Sequence, residues 1–119
     1  MYGANTQVGV RQASDVASII DLEGEVTGSA EQALMSAYAE ASRPTTRVVL
    51  LNFSKLVYMN SSGIGLLVTL LIRIRRQRQQ LWACGLSEHY RHIFELTRLN
   101  DAIRLFDGEA EALEAAHML

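Results

Sequence analysis

A chain of 119 residues, 49% apolar and 20% charged, has the length and composition of one globular unit with a modest core. Its formal net charge of -2 carries no excess basicity that would mark nucleic acid as a general partner. Cys84 is the lone cysteine, which excludes an internal disulfide and with it a secreted disulfide scaffold.

The opening segment, residues 1–10, lacks the basic start and long apolar stretch of a signal peptide. The most apolar run, Gly63 to Ile72, ends at Arg73 after ten residues, too few to span a bilayer. A cytoplasmic location without membrane insertion is therefore expected. Pro44 is the one proline, and no linker, low-complexity tract or repeat interrupts the chain, so a single unit over residues 1–119 is expected.

In chain order, "TQVGVRQ" alternates weakly and "VASIIDLEGEV" follows after the turn-rich Ala13-Ser14-Asp15, which predicts an antiparallel hairpin. Ser29 to Ser42 is rich in helix formers, with Ala30, Ala33, Leu34, Ala37, Tyr38 and Ala41 forming one apolar stripe. Pro44 lies just beyond, where a helix cannot continue. "RVVLLNF" has the nearly continuous apolar character of a strand buried on both faces. "SGIGLLVTLLIRIRRQRQQ" is long enough for a helix, apolar at first and charged later.

"LWACGL" predicts a further buried strand, with core packing as the role of Trp82 and Cys84. "SEHYRHIFELTRL" predicts a helix started by Ser87, with Tyr90, Ile93, Phe94 and Thr97 on one face. "AIRLF" and "GEAEALEAAHML" predict a last strand and a last helix. The order β-β-α-β-α-β-α-β-α implies an α/β fold: a mainly parallel mixed sheet with an N-terminal antiparallel hairpin and about four helices. Arg73, Arg75, Arg76 and Arg78 gather at a helix C-terminus, where cations complement the dipole and solvate the helix end.

The stretch "VYMNSSGIGLL", residues 57–67, places Asn60, Ser61 and Ser62 where a strand hands over to a helix. In an open α/β sheet, loops at the carboxyl ends of the strands are where ligands and partners engage. One reading is structural: Asn60, Ser61 and Ser62 supply cap and turn chemistry, and Gly63 and Gly65 let the helix approach the sheet closely. A second is phosphate binding at the helix N-terminus. For a nucleotide loop the pattern is incomplete, since Val68 stands where a third glycine belongs and no lysine follows.

A third reading, a nucleophilic serine, needs a base and an oxyanion site, and the GxSxG elbow is absent. His89, His92 and His117 are the only imidazoles; His89 and His92 have helical spacing, but no further residue completes a metal-ligand pattern. No catalytic residue, metal or cofactor is expected. The fourth reading makes serine a phosphoacceptor. A phosphate on Ser61 adds about -1.5 to -2 charge units where helix amides favour it and any docked partner meets it.

With these elements in place, "VVLLNFSKLVYMNSSGIGLLVTLL" resembles the hallmark of the STAS domains, and among them the bacterial anti-sigma factor antagonists: a strand, then an Asp-Ser-Ser-Gly loop opening a helix. "HIFELTRLNDAIRLFDGEAEAL" resembles that family's C-terminal pattern, and "IIDLEGEV" its second strand, so the resemblance covers about residues 8–113. It implies a non-enzymatic protein-binding module whose partner is an anti-sigma factor with serine kinase activity. Phosphorylation of the first loop serine breaks that complex and a phosphatase restores it. Carried over by position, Ser61 is the phosphoacceptor, and Asn60, Ser62, Gly63 and Thr27 form the partner-binding loop. Asn60 and Thr27 each stand where the family has an aspartate, which removes two carboxylates near the acceptor. The same resemblance also admits a scaffold-type STAS protein or the cytoplasmic STAS subunit of a membrane transport complex.

Overall fold

A computed structural model describes residues 6–119; residues 1–5, part of the segment read above for a targeting signal, lie outside the described residues. Five strands form one sheet in the spatial order β1-β2-β3-β4-β5: Thr6–Gln12, Ala17–Val26, Val48–Met59, Gln80–Cys84 and Arg104–Phe106. β1 and β2 pair antiparallel, as the hairpin pattern predicts, and every later pair is parallel. The helices are α1 (Glu31–Ala41), α2 (Ser61–Arg76), α3 (Glu88–Leu96) and α4 (Glu109–His117).

Because the strands follow one another in sequence order across the sheet, each right-handed crossover sets its helix on the same face. The burial pattern shows this arrangement. Ile20, Leu22, Val49, Leu51, Leu81 and Ala83 point to the face covered by α1, α2 and α3, which contribute Leu34, Leu67, Leu70, Ile74 and Phe94. Ile19, Leu50, Trp82 and Cys84 point to the other face, where α4 supplies Ala112 and Ala116. β4 is buried on both faces because its residues alternate between the two clusters.

Four expectations are adjusted by the structure. The helix predicted from Ser29 begins at Glu31, preceded by one 3₁₀ turn over Gly28–Ala30 that Thr27 caps. Within the predicted stripe Ala33 is exposed, because α1 presents a narrower face to the sheet, and Thr97 is exposed because α3 ends at Leu96, one residue before it. β3 does not stop at Phe53. It continues to Met59 alongside β2, with register shifts after Asn52 and Leu56 that accommodate the polar Ser54 and Lys55. Gly65, expected to allow close approach, faces open space.

The ends of the elements follow local chemistry. Ser87 caps α3 by accepting the Tyr90 amide at 3.4 Å. α2 ends with Gln79 N donating to Ile74 O and Arg78 N to Arg75 O, which puts Arg78 in the left-handed region at φ 59°. On the α4 face, Arg11 of β1 bonds Asp21 of β2 at 2.6 and 2.7 Å and Glu109 of α4 at 2.6 and 3.1 Å. Asn52 of β3 donates to Glu109 at 3.0 Å, so one carboxylate ties the first turn of α4 to two strands. The hydrogen bond from Arg11 is the main reason that the Glu109 carboxyl sits below its ordinary pKa.

Candidate functional site

Strands β2 and β3 run side by side to their carboxyl ends, and the candidate loop forms where both stop. The Asn60 amide donates to Val26 O at 3.3 Å, which binds the end of β3 to the end of β2. Asn60 is then the N-cap of α2: its backbone is extended and its side-chain oxygen accepts the Gly63 amide at 2.9 Å. The carboxamide therefore serves the capping role that an aspartate would serve. It does so without an anion beside Ser61.

Gly63 is required by contact rather than by conformation. A Cβ there would lie 2.2 Å from Val26 O and 2.9 Å from the Met59 side chain. The first turn of α2 thus rests directly on the backbone of β2. Ser61 and Ser62, one and two residues into the helix, are exposed. The first bond within the helix is Ile64 N to Asn60 O, so the Ser61 and Ser62 amides precede it at the positive end of the dipole.

Thr27 comes close to this loop. Its hydroxyl lies 2.8 Å from the Ser29 hydroxyl, and the neighbouring Gly28 is so near Ser62 that a Cβ would stand 3.3 Å from the Ser62 Cβ. Thr27, Asn60, Ser61 and Ser62 therefore come together at the ends of two adjacent strands, and Gly63 is buried among them. Sequence reasoning missed one supporting residue. Tyr90, buried on α3, accepts the Met59 amide at 2.8 Å through its phenol oxygen and holds the last residue of β3 in place. A tyrosine on an apolar helix face was the available signal, but nothing in the pattern pointed its hydroxyl at Met59.

The two elements that meet at the loop each expose apolar side chains. Val57 is 74% exposed and Tyr58 48%, both on the overhanging end of β3. On α2, Val68 and Ile72 are 40% and 50% exposed and follow Ser61 and Gly65 at helical spacing.

Other candidates resolve differently. His89 and His92 are both exposed on α3, with His92 3.7 Å from Glu95. Among the described residues no group of three or more His, Cys, Asp or Glu side chains is placed to hold a metal ion. His117 closes α4 on the opposite face of the sheet from α2. Cys84 is buried beneath α4, and burial pushes its thiol up to about 11, which makes it an inert core residue at neutral pH. No helix among the described residues is long and apolar enough to cross a membrane.

A sequence profile of the STAS domain matches residues 7–112. The chain belongs to the STAS domain family. An anti-sigma-B factor antagonist of Staphylococcus aureus is 32% identical over 63 residues, 53% of this STAS domain and 58% of that protein. The chain thus spans less than two thirds of the length of the curated relatives that it matches. Among solved structures, the anti-sigma factor antagonist SpoIIAA in its unphosphorylated form superposes with a TM-score of 0.75 at 18% identity, over 95% of this chain and all of that one. The Bacillus cell fate determinant SpoIIAA in its phosphorylated form gives 0.72 at 20% identity, over 92% of this chain and 99% of that one. At these identities the structural likeness establishes the shared fold.

Proposed function

We propose that this STAS domain is an anti-sigma factor antagonist, a cytoplasmic protein-binding module that is not itself an enzyme. Its partner is an anti-sigma factor with serine kinase activity, and Ser61 is the residue at which that partner switches it off. The carrying observation is the position of Ser61: exposed, in the first turn of α2, on a helix face that further along also exposes Val68 and Ile72. The naming of the sequence relatives agrees with this reading and favours it over a transporter subunit or a scaffold.

In the unmodified state the apolar residues and the neutral loop pack against the partner and lose their water. In the transfer step the kinase passes the terminal phosphoryl group of ATP to Ser61 Oγ and releases ADP. The hydroxyl proton leaves to a base on the kinase, since this chain has Asn60 and Thr27 at the two positions nearest by family pattern. The product carries about -1.5 to -2 charge units, which the Ser61 and Ser62 amides and the helix dipole stabilise in the free protein. Inside a dry interface the same charge is costly, and the complex separates. A phosphatase then hydrolyses the ester and returns the binding form.

Binding measured against the cognate anti-sigma factor tests this. Ser61→Ala should bind within a few-fold of the parent, because a methyl group adds no charge. Ser61→Asp should bind at least about tenfold more weakly, the loss expected from an unpaired charge at an interface. Equal affinity for both variants contradicts the assignment.

A further inference from the structure

The sheet ends on two unlike edges. β5 spans only Arg104–Phe106, whereas β1 runs seven residues, Thr6–Gln12, in unbroken register with β2. Among the described residues β1 pairs with β2 alone, so its other side is open. The hairpin turn fixes which backbone groups face that side. The Ala13 amide donates to Ala17 O at 3.0 Å, continuing the register in which Gln12 stands opposite Ser18. Hydrogen-bonded pairs alternate along an antiparallel ladder, so Gln7, Gly9 and Arg11 bond to β2. Thr6, Val8, Val10 and Gln12 therefore turn their amides and carbonyls outward.

A long, flat edge is ordinarily blunted by proline, lysine, a bulge or a projecting charge. β1 has no proline, no lysine and no bulge. Its one charge, Arg11, is drawn back across the sheet face to Asp21 and Glu109. The ends of the strand are tied down as well. Thr6 Oγ1 donates to Glu25 O, and the Gln12 carboxamide donates to Ser14 O and accepts from Ser18 Oγ.

We propose that the open edge of β1 is where two copies of this chain join, strand to strand and antiparallel, about a two-fold axis through Gly9. The strand is self-complementary about that residue. The axis sets Val8 against Val10 of the second copy and Val10 against its Val8, and these are residues whose backbone groups point outward. Each such pair exchanges two hydrogen bonds and brings two β-branched side chains together. Val8 and Val10 are only partly buried on the core face of the single chain, and the seam buries more of both. On the other face Gly9 meets its own copy, with nothing within 4 Å of where a Cβ would lie. There Arg11 stands opposite Gln7 of the second copy, whose neighbour on β2 is Glu23, so opposite charges flank the seam.

A strand from a different protein would meet the same outward groups but not this symmetry, and an isologous contact closes at two copies. The two-fold sends the carboxyl ends of the two sheets in opposite directions. Both Ser61 loops stay open, and the inference is independent of their role.

Sedimentation of the full chain should show a reversible dimer at high micromolar concentration. Hydrogen exchange read by NMR should show protection of the Val8 and Val10 amides that falls on dilution, while the Gly9 and Arg11 amides keep theirs. Val10→Pro keeps an apolar side chain but removes an outward donor, and should weaken association by about tenfold or more. Val10→Thr keeps the amide and should associate within a few-fold of the parent. A monomer at every concentration overturns the proposal. So does a dimer in which the Val8 and Val10 amides exchange freely, or undiminished association of a folded Val10→Pro. Exchange in the parent needs no variant, so it decides the matter even if Val10→Pro fails to fold.

Discussion

Gly63 and Gly65 look alike in the sequence and are separated by what faces them. At Gly63 a methyl group meets the Val26 carbonyl at 2.2 Å, and backbone cannot give way as a flexible side chain can. Gly63→Ala should cost about 3 kcal/mol of unfolding free energy, at the upper end of overpacking, or shift the first turn of α2. At Gly65 the same substitution meets nothing within 4 Å. Gly65→Ala should therefore stabilise α2 by up to about 1 kcal/mol, because glycine in a helix gives up more backbone entropy. Urea unfolding of the two variants checks both signs at once. If Gly65→Ala gains stability yet loses partner binding, the docking surface extends along α2 from Ser61. The same scale explains why Asn60 is compatible with the fold: the cap needs only an oxygen for the Gly63 amide, and a carboxamide supplies it.

Among the elements, legibility follows how strongly one face was specified. β4 and the core of β3 were readable because strands buried on both faces are almost continuously apolar. α3 was readable from Ser87, Tyr90 and Phe94, where cap and stripe agree. The far half of β3 was not assigned to that strand, because Ser54 and Lys55 interrupt the apolar run and only pairing with β2 carries the strand across them. That overhang brings Val57 and Tyr58 to the rim of the loop, so the miss bore on the site itself. The end of α2 was legible as a charged terminus but not as a turn with Arg78 in the left-handed region, since arginine carries no such signal. Arg78→Gly should stabilise the protein by about 1 kcal/mol, the cost of holding a side-chain-bearing residue there. Thermal unfolding gives the test, and a lower melting temperature contradicts it.

For the whole molecule, a net charge of -2 concealed a separation of charge that only the fold reveals. Arginines scattered over three sequence segments converge at one pole, while the serine loop occupies the other. Between them the Arg11–Asp21–Glu109–Asn52 cluster fastens α4 to the sheet. Glu109 has a lower pKa folded than unfolded, so the unfolded chain binds the proton more readily. Its stabilising effect is present above the ordinary glutamate pKa and is lost as pH falls through the depressed value. Glu109→Gln should cost about 1 kcal/mol or less near neutral pH, because the pair is partly solvated. The difference between variant and parent should shrink as the pH is lowered across that window. A difference that stays constant with pH would assign the effect to packing instead.

Ser61 is the proposed switch of this domain. Phosphopeptide mass spectrometry on the protein isolated from its own cells, in growth and under stress, tests this most directly. Trypsin releases Leu56 to Arg73, a fragment carrying Ser61, Ser62 and Thr69. The expected result is phosphate on Ser61 whose occupancy changes between the two conditions. A fully covered fragment without phosphate in either condition, or with phosphate confined to Ser62 or Thr69, would contradict it.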